Sequence, residues 1–322
     1  MPADVEAFFC SRVLVNGATP PVDSDLRTMT LHPIDTGFFK LDGGAMFGVV
    51  PKSIWSKRHP PDERNLCTWA MRCLLVEDGD RLILIDNGMG DKQDAKFFSH
   101  YEPHGDATLD GSLKKAGFSR DDITDVFLTH LHFDHCGGSI RWNSARDGYE
   151  PAFKNATYWS NEHHWAWATY PNAREKASFL KENIGPIKES GQLKFVGLQP
   201  RTLGPGVTPI NEYFRGFLPG FEVYTVHGHT DAMMLPHIQY KRRTVVFMAD
   251  LLPSIHHIPV AWVMAYDTRP LLTMVEKASF LESAAKQEFV LFFEHDPVHQ
   301  CCTVEMTEKG IRVKEVFPLS AV

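Results

Sequence analysis

The densest concentration of chemistry in the chain is Thr129-His130-Leu131-His132-Phe133-Asp134-His135, where three imidazoles and a carboxylate crowd into one short run. An apolar, strand-like segment, residues 123–129, leads straight into it. If that strand stays extended through His132, its period of two sends His130 and His132 to one side, and the turn that follows brings Asp134 and His135 towards the same space. Imidazole and carboxylate are donors that zinc accepts at about 2.0–2.2 Å, and closely spaced donors on one loop lower the entropy cost of assembling a site. Three more apolar segments finish in residues of the same kind: Val226 precedes His227-Gly228-His229, Val246-Phe247-Met248-Ala249 precedes Asp250, and Leu291-Phe292-Phe293 precedes Glu294-His295. Singly, His229 reads equally well as a turn histidine, Asp250 as a helix N-cap and His295 as a satisfied edge residue. Strand ends that share one rim would account for all three together with the cluster.

The elements that must position these residues alternate between short β-rich segments and helices. Residues 30–39, 46–50, 67–77 and 81–86 are predicted as strands, separated by turn formers such as Asp78-Gly79. A helix is predicted at residues 109–116, closed by Gly117. Residues 161–184 are predicted helical, with good helix formers across 174–182, and Pro186, Gly191, Pro200, Gly204, Pro205, Gly206 and Pro209 then make a loop-rich surface excursion or lid. The second half repeats the strand theme at 221–226, 235–240, 244–249 and 288–293, with a helix at 271–286. Two β-rich halves with helices between them describe an α/β sandwich. No linker or repeat divides them, so residues 29–322 are expected to form one domain, with the turn-rich residues 1–28 as an N-terminal extension.

Composition narrows the partners. Lys and Arg number 33 against 40 Asp and Glu, a formal charge of −7, and no basic run interleaves with aromatics, which argues against nucleic acid. The longest apolar runs, such as Phe289-Val290-Leu291-Phe292-Phe293, fall far short of the roughly 20 residues needed to span a bilayer. No membrane association is expected. The N-terminus shows no basic segment followed by an apolar one, and the cytoplasm is the expected compartment. The six cysteines form no C-x2-C pair and read as free, mostly buried thiols. Cys136 adjoins the histidine run, but its neighbours already supply harder N and O donors. A homodimer stays open as the oligomeric state.

The H-x-H-x-D-H run followed by a later His, an Asp and a final His resembles the signature of the metallo-β-lactamase superfamily, and the match extends from about residue 30 to 296. That resemblance implies a four-layer αββα sandwich holding two divalent ions, zinc by default, with Mn, Fe and Co equally compatible with His/Asp donors. It implies that His130, His132 and His229 hold one ion, that Asp134, His135 and His295 hold the other, and that Asp250 bridges them. Asp86, in Ile85-Asp86-Asn87-Gly88, matches the acidic residue that orients a metal-bound histidine, although an ordinary Asx turn explains it as well. Two ions about 3.5–4 Å apart can share a water, lower its pKa to near neutrality and present a bridging hydroxide to a carbonyl or phosphorus. Hydrolysis is the reaction this implies, with one ion stabilising the developing oxyanion and Asp134 relaying a proton to the leaving group.

Within the superfamily, a bridging carboxylate at Asp250 argues against a true β-lactamase, a histidine at His132 against flavodiiron oxidoreductases, and the acidic chain against nucleases. No counterpart of the basic glutathione-binding residues of glyoxalase-II thioesterases is evident. The segment Leu41-Asp42-Gly43-Gly44-Ala45-Met46-Phe47-Gly48-Val49-Val50-Pro51-Lys52, with Asp250-Leu251-Leu252-Pro253 and Trp262-Val263-Met264-Ala265-Tyr266-Asp267, is similar to quorum-quenching N-acyl-homoserine lactonases. A phosphotriesterase or arylesterase on the same metals is the rival reading, and a non-catalytic metal-binding protein is the reading from a different class. Some lactonases carry a substrate-contacting Tyr where this chain has Pro253. His257, Tyr266 or His256 is expected to replace it, with His257 favoured as a catalytic partner to Asp134. Met46, Phe47, Phe133, Trp262 and Tyr266 are expected to bind the substrate, a small lactone or ester, with the apolar side chains forming a slot for its acyl tail. Trp165 and Trp167, with His163 and His164, lie on a predicted helix where spacing alone does not separate a place at the cavity mouth from packing.

Overall fold

The computed structural model describes residues 29–198 and 213–322. The expected extension at residues 1–28, and the middle of the stretch expected to be loop-rich, lie outside the described residues. Eight strands come first: β1 (Thr30–Asp42), β2 (Leu66–Asp78), β3 (Arg81–Ile85), β4 (Asp125–Phe127), β5 (Ile140–Trp142), β6 (Tyr149–Pro151), β7 (Thr157–Ser160) and β8 (Leu193–Phe195). Of these, β5 and β6 form a small hairpin, and the others form a sheet in the order β1-β2-β3-β4-β7-β8. A second sheet contains β9 (Tyr213–Leu218), β10 (Phe221–Val226), β11 (Met233–Tyr240), β12 (Arg243–Phe247), β13 (Val290–Phe292), β14 (Cys301–Thr307) and β15 (Gly310–Phe317), in the order β15-β14-β13-β12-β11-β10-β9.

Period-two alternation in the first sheet explains the layering. Leu74, Val76, Ile83, Ile85 and Phe127 enter one core with Val223, Leu235, Val245 and Phe247 of the second sheet. The intervening Cys73, Leu75, Leu82, Leu84 and Val126 face a separate core. Both faces of β2 and β3 are thus buried, which is why these strands read as near-continuous apolar runs.

The helices are α1 (Gly43–Phe47), α2 (Lys52–Trp55), α3 (Ala95–Tyr101), α4 (Leu109–Lys115), α5 (Phe133–Cys136), α6 (Glu162–Thr169), α7 (Lys181–Glu189) and α8 (Pro270–Gln287). Leu113 of α4, Trp165 of α6 and Ile184 and Ile187 of α7 cover the outer face of the first sheet, while α8 packs on β14 of the second. The result is the four-layer αββα sandwich expected from the sequence.

Strand direction places the site. β3 and β4 run parallel, as do β12 and β13. β10 pairs antiparallel with β11, and β11 antiparallel with β12, so β10 and β12 point the same way. The segments that follow β3, β4, β10, β12 and β13 carry Asp86, His130, His229, Asp250 and His295 in turn.

Three local expectations are corrected. Residues 46–50 are not a strand: the Asp42 side chain caps α1 by accepting the Ala45 N–H at 2.8 Å, and Met46 and Phe47 are buried against Trp55, Trp69 and Phe133. A short apolar run carries no period that separates the two outcomes. Residues 174–182 are not a continuous helix, because α6 ends at Thr169 and turns occupy residues 173–178. There Asn172 Oδ1 accepts the N–H groups of Arg174 and Glu175 at 2.9 and 3.1 Å, so side-chain bonding overrides propensity. Conversely, α7 continues through Pro186 to Glu189, where a loop was expected.

The inter-sheet core makes a direct stability prediction. Phe247 is fully buried and stacks on Phe292 with ring centroids 5.7 Å apart. Phe247→Ala is expected to cost about 3–5 kcal/mol in urea unfolding, and Val49→Ala, at a side chain 91% exposed, less than about 0.5 kcal/mol.

Candidate metal centre

The seven residues singled out as ligands converge. His130 Nε2 lies 3.1 Å from His132 Nδ1, and His229 Nε2 lies 3.2 Å from the same Nδ1 and 3.0 Å from Asp250 Oδ2. Beside them, His295 Nε2 is 3.1 Å from His135 Nε2 and 3.0 Å from Asp250 Oδ1, with Asp134 Oδ2 3.8 Å from both histidines. Asp250 therefore stands between the two groups, with Oδ1 against His295 and Oδ2 against His229 and 3.7 Å from His135. All seven side chains are buried.

This geometry fits divalent metal. Tetrahedral zinc with nitrogen ligands at about 2.05 Å sets adjacent donors about 3.3 Å apart, close to the spacings observed. One His132 nitrogen cannot be hydrogen-bonded to two other imidazole nitrogens at once, whereas a single cation satisfies all three. Asp250 Oδ1 is buried without a hydrogen-bond partner despite its nearness to His295. The electrostatics make the same demand. Burial and the adjacent imidazoles hold His130 well below the usual histidine range. Burial would lower His229 too, but the carboxylates of Asp250 and Asp267 override it and raise that group to about 10. Carboxylates are drawing positive charge into a dry site, which is what a metal supplies.

The ring nitrogens that turn away from the centre are held as well. Thr129 Oγ1 is 3.1 Å from His130 Nδ1 and donates to Asp86 Oδ2 at 2.6 Å. Asp86 Oδ1 accepts the Thr129 N–H at 2.8 Å, and Oδ2 faces His135 Nδ1 at 3.0 Å. Glu294 Oε2 approaches that same Nδ1 at 2.9 Å. Burial, reinforced by the charge of Asp86, pushes the Glu294 carboxyl up to about 8. Asp267 Oδ1 takes His229 Nδ1 at 2.9 Å, the Ala70 carbonyl takes His295 Nδ1 at 2.8 Å, and Glu175 Oε1 stands 3.5 Å from His132 Nε2.

Each ligand loop is locked by its surroundings. The turn at His229 is gripped by the start of α8: Glu276 accepts the N–H groups of His227 and Gly228 at 2.7 and 3.0 Å, and the Arg269 and Thr268 N–H groups donate to the carbonyls of Gly228 and His229 at 2.8 and 3.0 Å. A Cβ at Gly228 would run into the Thr273 backbone. Across the site, Arg72 on β2 donates to the Phe293 and Asp296 carbonyls at 3.0 Å each, fixing the loop that carries His295.

A family model described as the metallo-beta-lactamase superfamily matches residues 72–295, more than half of the chain and all seven of these ligands. The chain belongs to the metallo-beta-lactamase superfamily. Its likeness to solved members of the superfamily spans nearly the whole molecule. A probable metal-dependent hydrolase from Staphylococcus aureus is 25% identical with a TM-score of 0.77, covering 90% of this chain and 96% of its own. AidC, a dizinc quorum-quenching lactonase, is 23% identical with a TM-score of 0.68, covering 90% and 95%. An N-acyl homoserine lactone hydrolase is 19% identical with a TM-score of 0.59, covering 83% and 93%. The superfamily membership and the donor set make the protein a metal-dependent hydrolase.

Above the metal-binding groups lies a cavity of about 340 Å³. Of the residues expected to bind substrate, Met46, Phe133 and Tyr266 line it, together with Asp134. Phe47 and Trp262 do not. Phe47 is fully buried between Trp55 and His257, at ring distances of 5.2 and 4.9 Å, and Trp262 packs edge-on against Phe47. The catalytic role expected for His257 is also corrected. Its Nδ1 bonds Ser254 Oγ at 2.9 Å and its Nε2 bonds the Met46 carbonyl at 2.9 Å, and burial drives its pKa down to about 3. Both nitrogens are engaged away from the cavity, so His257 anchors α1 and with it the Met46 wall. His256 lines a different cavity, Trp165 is core, and His164 Nε2 accepts the Leu131 N–H at 2.8 Å.

Sequence reasoning missed Tyr101, Arg174, Glu175 and Met264 on the cavity wall, and Asp267 and Glu294 behind the histidines. For Tyr101 a signal existed: Asp94 followed by Phe97 and Tyr101 at helical spacing marks a capped helix, and the Asp94 side chain does accept the Phe97 N–H. Met264 and Asp267 lie in the 262–267 segment and Glu294 beside His295, where the sequence patterns assigned these residues no role of their own, and for Arg174 and Glu175 no local pattern exists.

Two measurements follow. Zinc at about 100 times its dissociation constant is expected to add about 2.7 kcal/mol to unfolding stability, read as a rise in melting temperature that a chelator reverses. Asp267→Asn is expected to weaken zinc binding about 10–100-fold, measured by competition with a chromogenic chelator.

Proposed function

We propose that this protein is a dinuclear metal-dependent hydrolase that opens the lactone ring of N-acyl-homoserine lactones. The observation that carries this reading is the joining of a two-ion donor set to a small cavity lined by both apolar side chains and isolated polar groups. His130, His132 and His229 would hold one ion, Asp134, His135 and His295 the second, and Asp250 both. When bound, such a pair supplies Lewis acidity and water activation at neutral pH, so no Ser or Cys nucleophile is required.

The remaining work falls to the chain's own side chains. Leu41, Met46, Phe133 and Met264 line a surface suited to an acyl tail. Tyr101 and Tyr266 border the same space, and burial pushes both phenols above their usual range, Tyr101 to about 12. They stay neutral and can donate hydrogen bonds to an amide or lactone carbonyl, with Tyr266, 39% exposed, nearest to solvent. Tyr266 thereby takes the place proposed for the tyrosine that Pro253 replaces. Asp134 reaches both the metal-binding groups and the cavity, so its carboxylate oxygen can take a proton and return it to the leaving alkoxide. Further support comes from the folds this chain shares with AidC, which was crystallised with N-hexanoyl-L-homoserine, and with the N-acyl homoserine lactone hydrolase that holds the same product at its metal centre.

The test is proton release on mixing zinc-loaded protein with a long-chain N-acyl-homoserine lactone, since ring opening liberates an acid. Rapid release is expected from the wild type and none from His132→Ala, and Asp134→Asn is expected to lower kcat about 10²–10⁴-fold. A fully metallated protein that leaves the lactone intact but turns over an aryl phosphotriester or aryl ester would replace the lactonase reading with that of a phosphotriesterase or arylesterase. Failure on all three would favour a non-catalytic metal-binding role.

A further inference from the structure

His132 turns Nδ1 towards the other ligands, which leaves Nε2 facing outward. That nitrogen is buried and has no hydrogen-bond partner among the described residues. Opposite it, 3.5 Å away, stands Glu175 Oε1, which is also buried and unpartnered. The other Glu175 oxygen is occupied: Oε2 accepts from Trp167 Nε1 at 2.7 Å and from Asn172 Nδ2 at 2.6 Å. The carboxylate is therefore anchored through Oε2, while Oε1 faces the His132 ring nitrogen at 3.5 Å, with the buried Thr230 hydroxyl as the other polar neighbour of the carboxylate.

Glu175 lies in the turns of residues 173–178, which lack the continuous hydrogen-bond ladder of a helix. What holds this segment is its contacts at each end. The Phe133 N–H donates to the Ser178 carbonyl at 3.0 Å, and the Phe179 ring packs 4.8 Å from the His132 ring. Arg174 Nη2 donates to the carbonyls of Ala265 and Asp267, tying the segment to the loop whose Asp267 orients His229. Arg174, Glu175, Ala177 and Ser178 all line the cavity. One short strap thus joins the ligand-bearing His130–His135 loop to the loop whose Asp267 orients His229, and it lines the cavity beside the metal-binding groups.

We propose that Glu175 is a positioning residue which orients His132 for metal, and that metal binding in turn orders the 171–179 wall of the substrate cavity. An ion on Nδ1 requires the proton to reside on Nε2, and that N–H is the donor Glu175 Oε1 lacks. Without an ion, Nδ1 has only the facing imidazole nitrogens of His130 and His229, and the ring is held less firmly against Oε1. The centre of the strap gains the His132 contact in the first state, and in the second it keeps only the Trp167 and Asn172 bonds to Oε2. This inference rests on the metal-centre reading and is independent of which substrate is hydrolysed.

The decisive variant is Glu175→Gln. Because Trp167 and Asn172 both donate to one oxygen, the glutamine must keep its carbonyl there and turn its NH₂ group towards the His132 N–H, placing donor against donor. Zinc affinity is measured by chelator competition on the full-length protein, and amide hydrogen exchange of residues 172–180 with and without zinc. In the wild type zinc is expected to slow exchange in this segment at least about tenfold, and Glu175→Gln is expected to weaken zinc binding about 10–100-fold and abolish the slowing. Glu175→Asp, which keeps the carboxylate, should recover part of both effects. If Glu175→Gln fails to fold, Trp167→Phe decides, since it removes one lock and should weaken zinc binding and the zinc-dependent slowing to a smaller extent. Wild-type zinc affinity in folded Glu175→Gln, or strap exchange in the wild type that zinc leaves unchanged, would overturn the proposal while leaving the metal centre intact. A wild type that binds no zinc would overturn the metal-centre reading itself.

Discussion

An imidazole ring has two nitrogens, and a histidine can aim one of them accurately only if something holds the other. That constraint governs the whole of this site. Thr129 stands at the back of His130, Glu175 behind His132, Asp86 and Glu294 behind His135, Asp267 behind His229 and the Ala70 carbonyl behind His295. These partners come from β2, from the ends of β3, β4 and β13, and from the loops before α7 and α8. The ligand set is therefore a property of the assembled sandwich, although its first members are adjacent in sequence.

The arrangement carries an electrostatic cost that shapes the rest of the molecule. Asp86, Asp134, Glu175, Asp250, Asp267 and Glu294 are all nearly or fully buried within this one region, and buried carboxylates are tolerated only when paired or neutralised. Five histidines meet part of that demand, and divalent cations meet it better, since they bring charge without occupying the hydrogen-bonding capacity of the rings. Ions held there would couple fold stability to metal occupancy for that reason. The two sheets supply the rigidity needed to hold such a cluster: their shared core is continuous from Leu74 and Ile83 on one side to Phe247 and Leu291 on the other, and Arg72 clamps the carbonyls of the His295 loop from the neighbouring sheet.

The cavity follows from the same framework. α1 is anchored by His257 through the Met46 carbonyl, α3 brings Tyr101 against Phe133 at a ring distance of 4.5 Å, and Arg174 links the strap to the 265–267 loop. Each wall is attached to an element that also carries or orients a ligand, so the shape of the substrate space and the geometry of the metal centre are not independent.

Much of this was legible in the chain. The His130–His135 run and the apolar segments ending at His229, Asp250 and His295 announce themselves because ligand chemistry and strand period are both local properties, and the layered architecture follows from the family resemblance they carry. The sequence could not assign Glu175, Asp267 or Glu294 to particular histidines, because those pairings join residues 38–159 positions apart or depend on which way a strand end turns. It also misplaced His257, whose actual partners are Ser254 and the Met46 carbonyl of α1, with its ring stacked on Phe47. Residues 46–50 and 174–182 departed from their expected forms where a capping aspartate and a side-chain-bonded turn outweighed propensities of a few tenths of a kcal/mol per residue. Sequence alone determined which chemistry the chain can perform. Tertiary structure decided which side chains converge on the candidate metal centre and which line the cavity, because that choice is made by long-range packing and hydrogen bonds that no local pattern encodes.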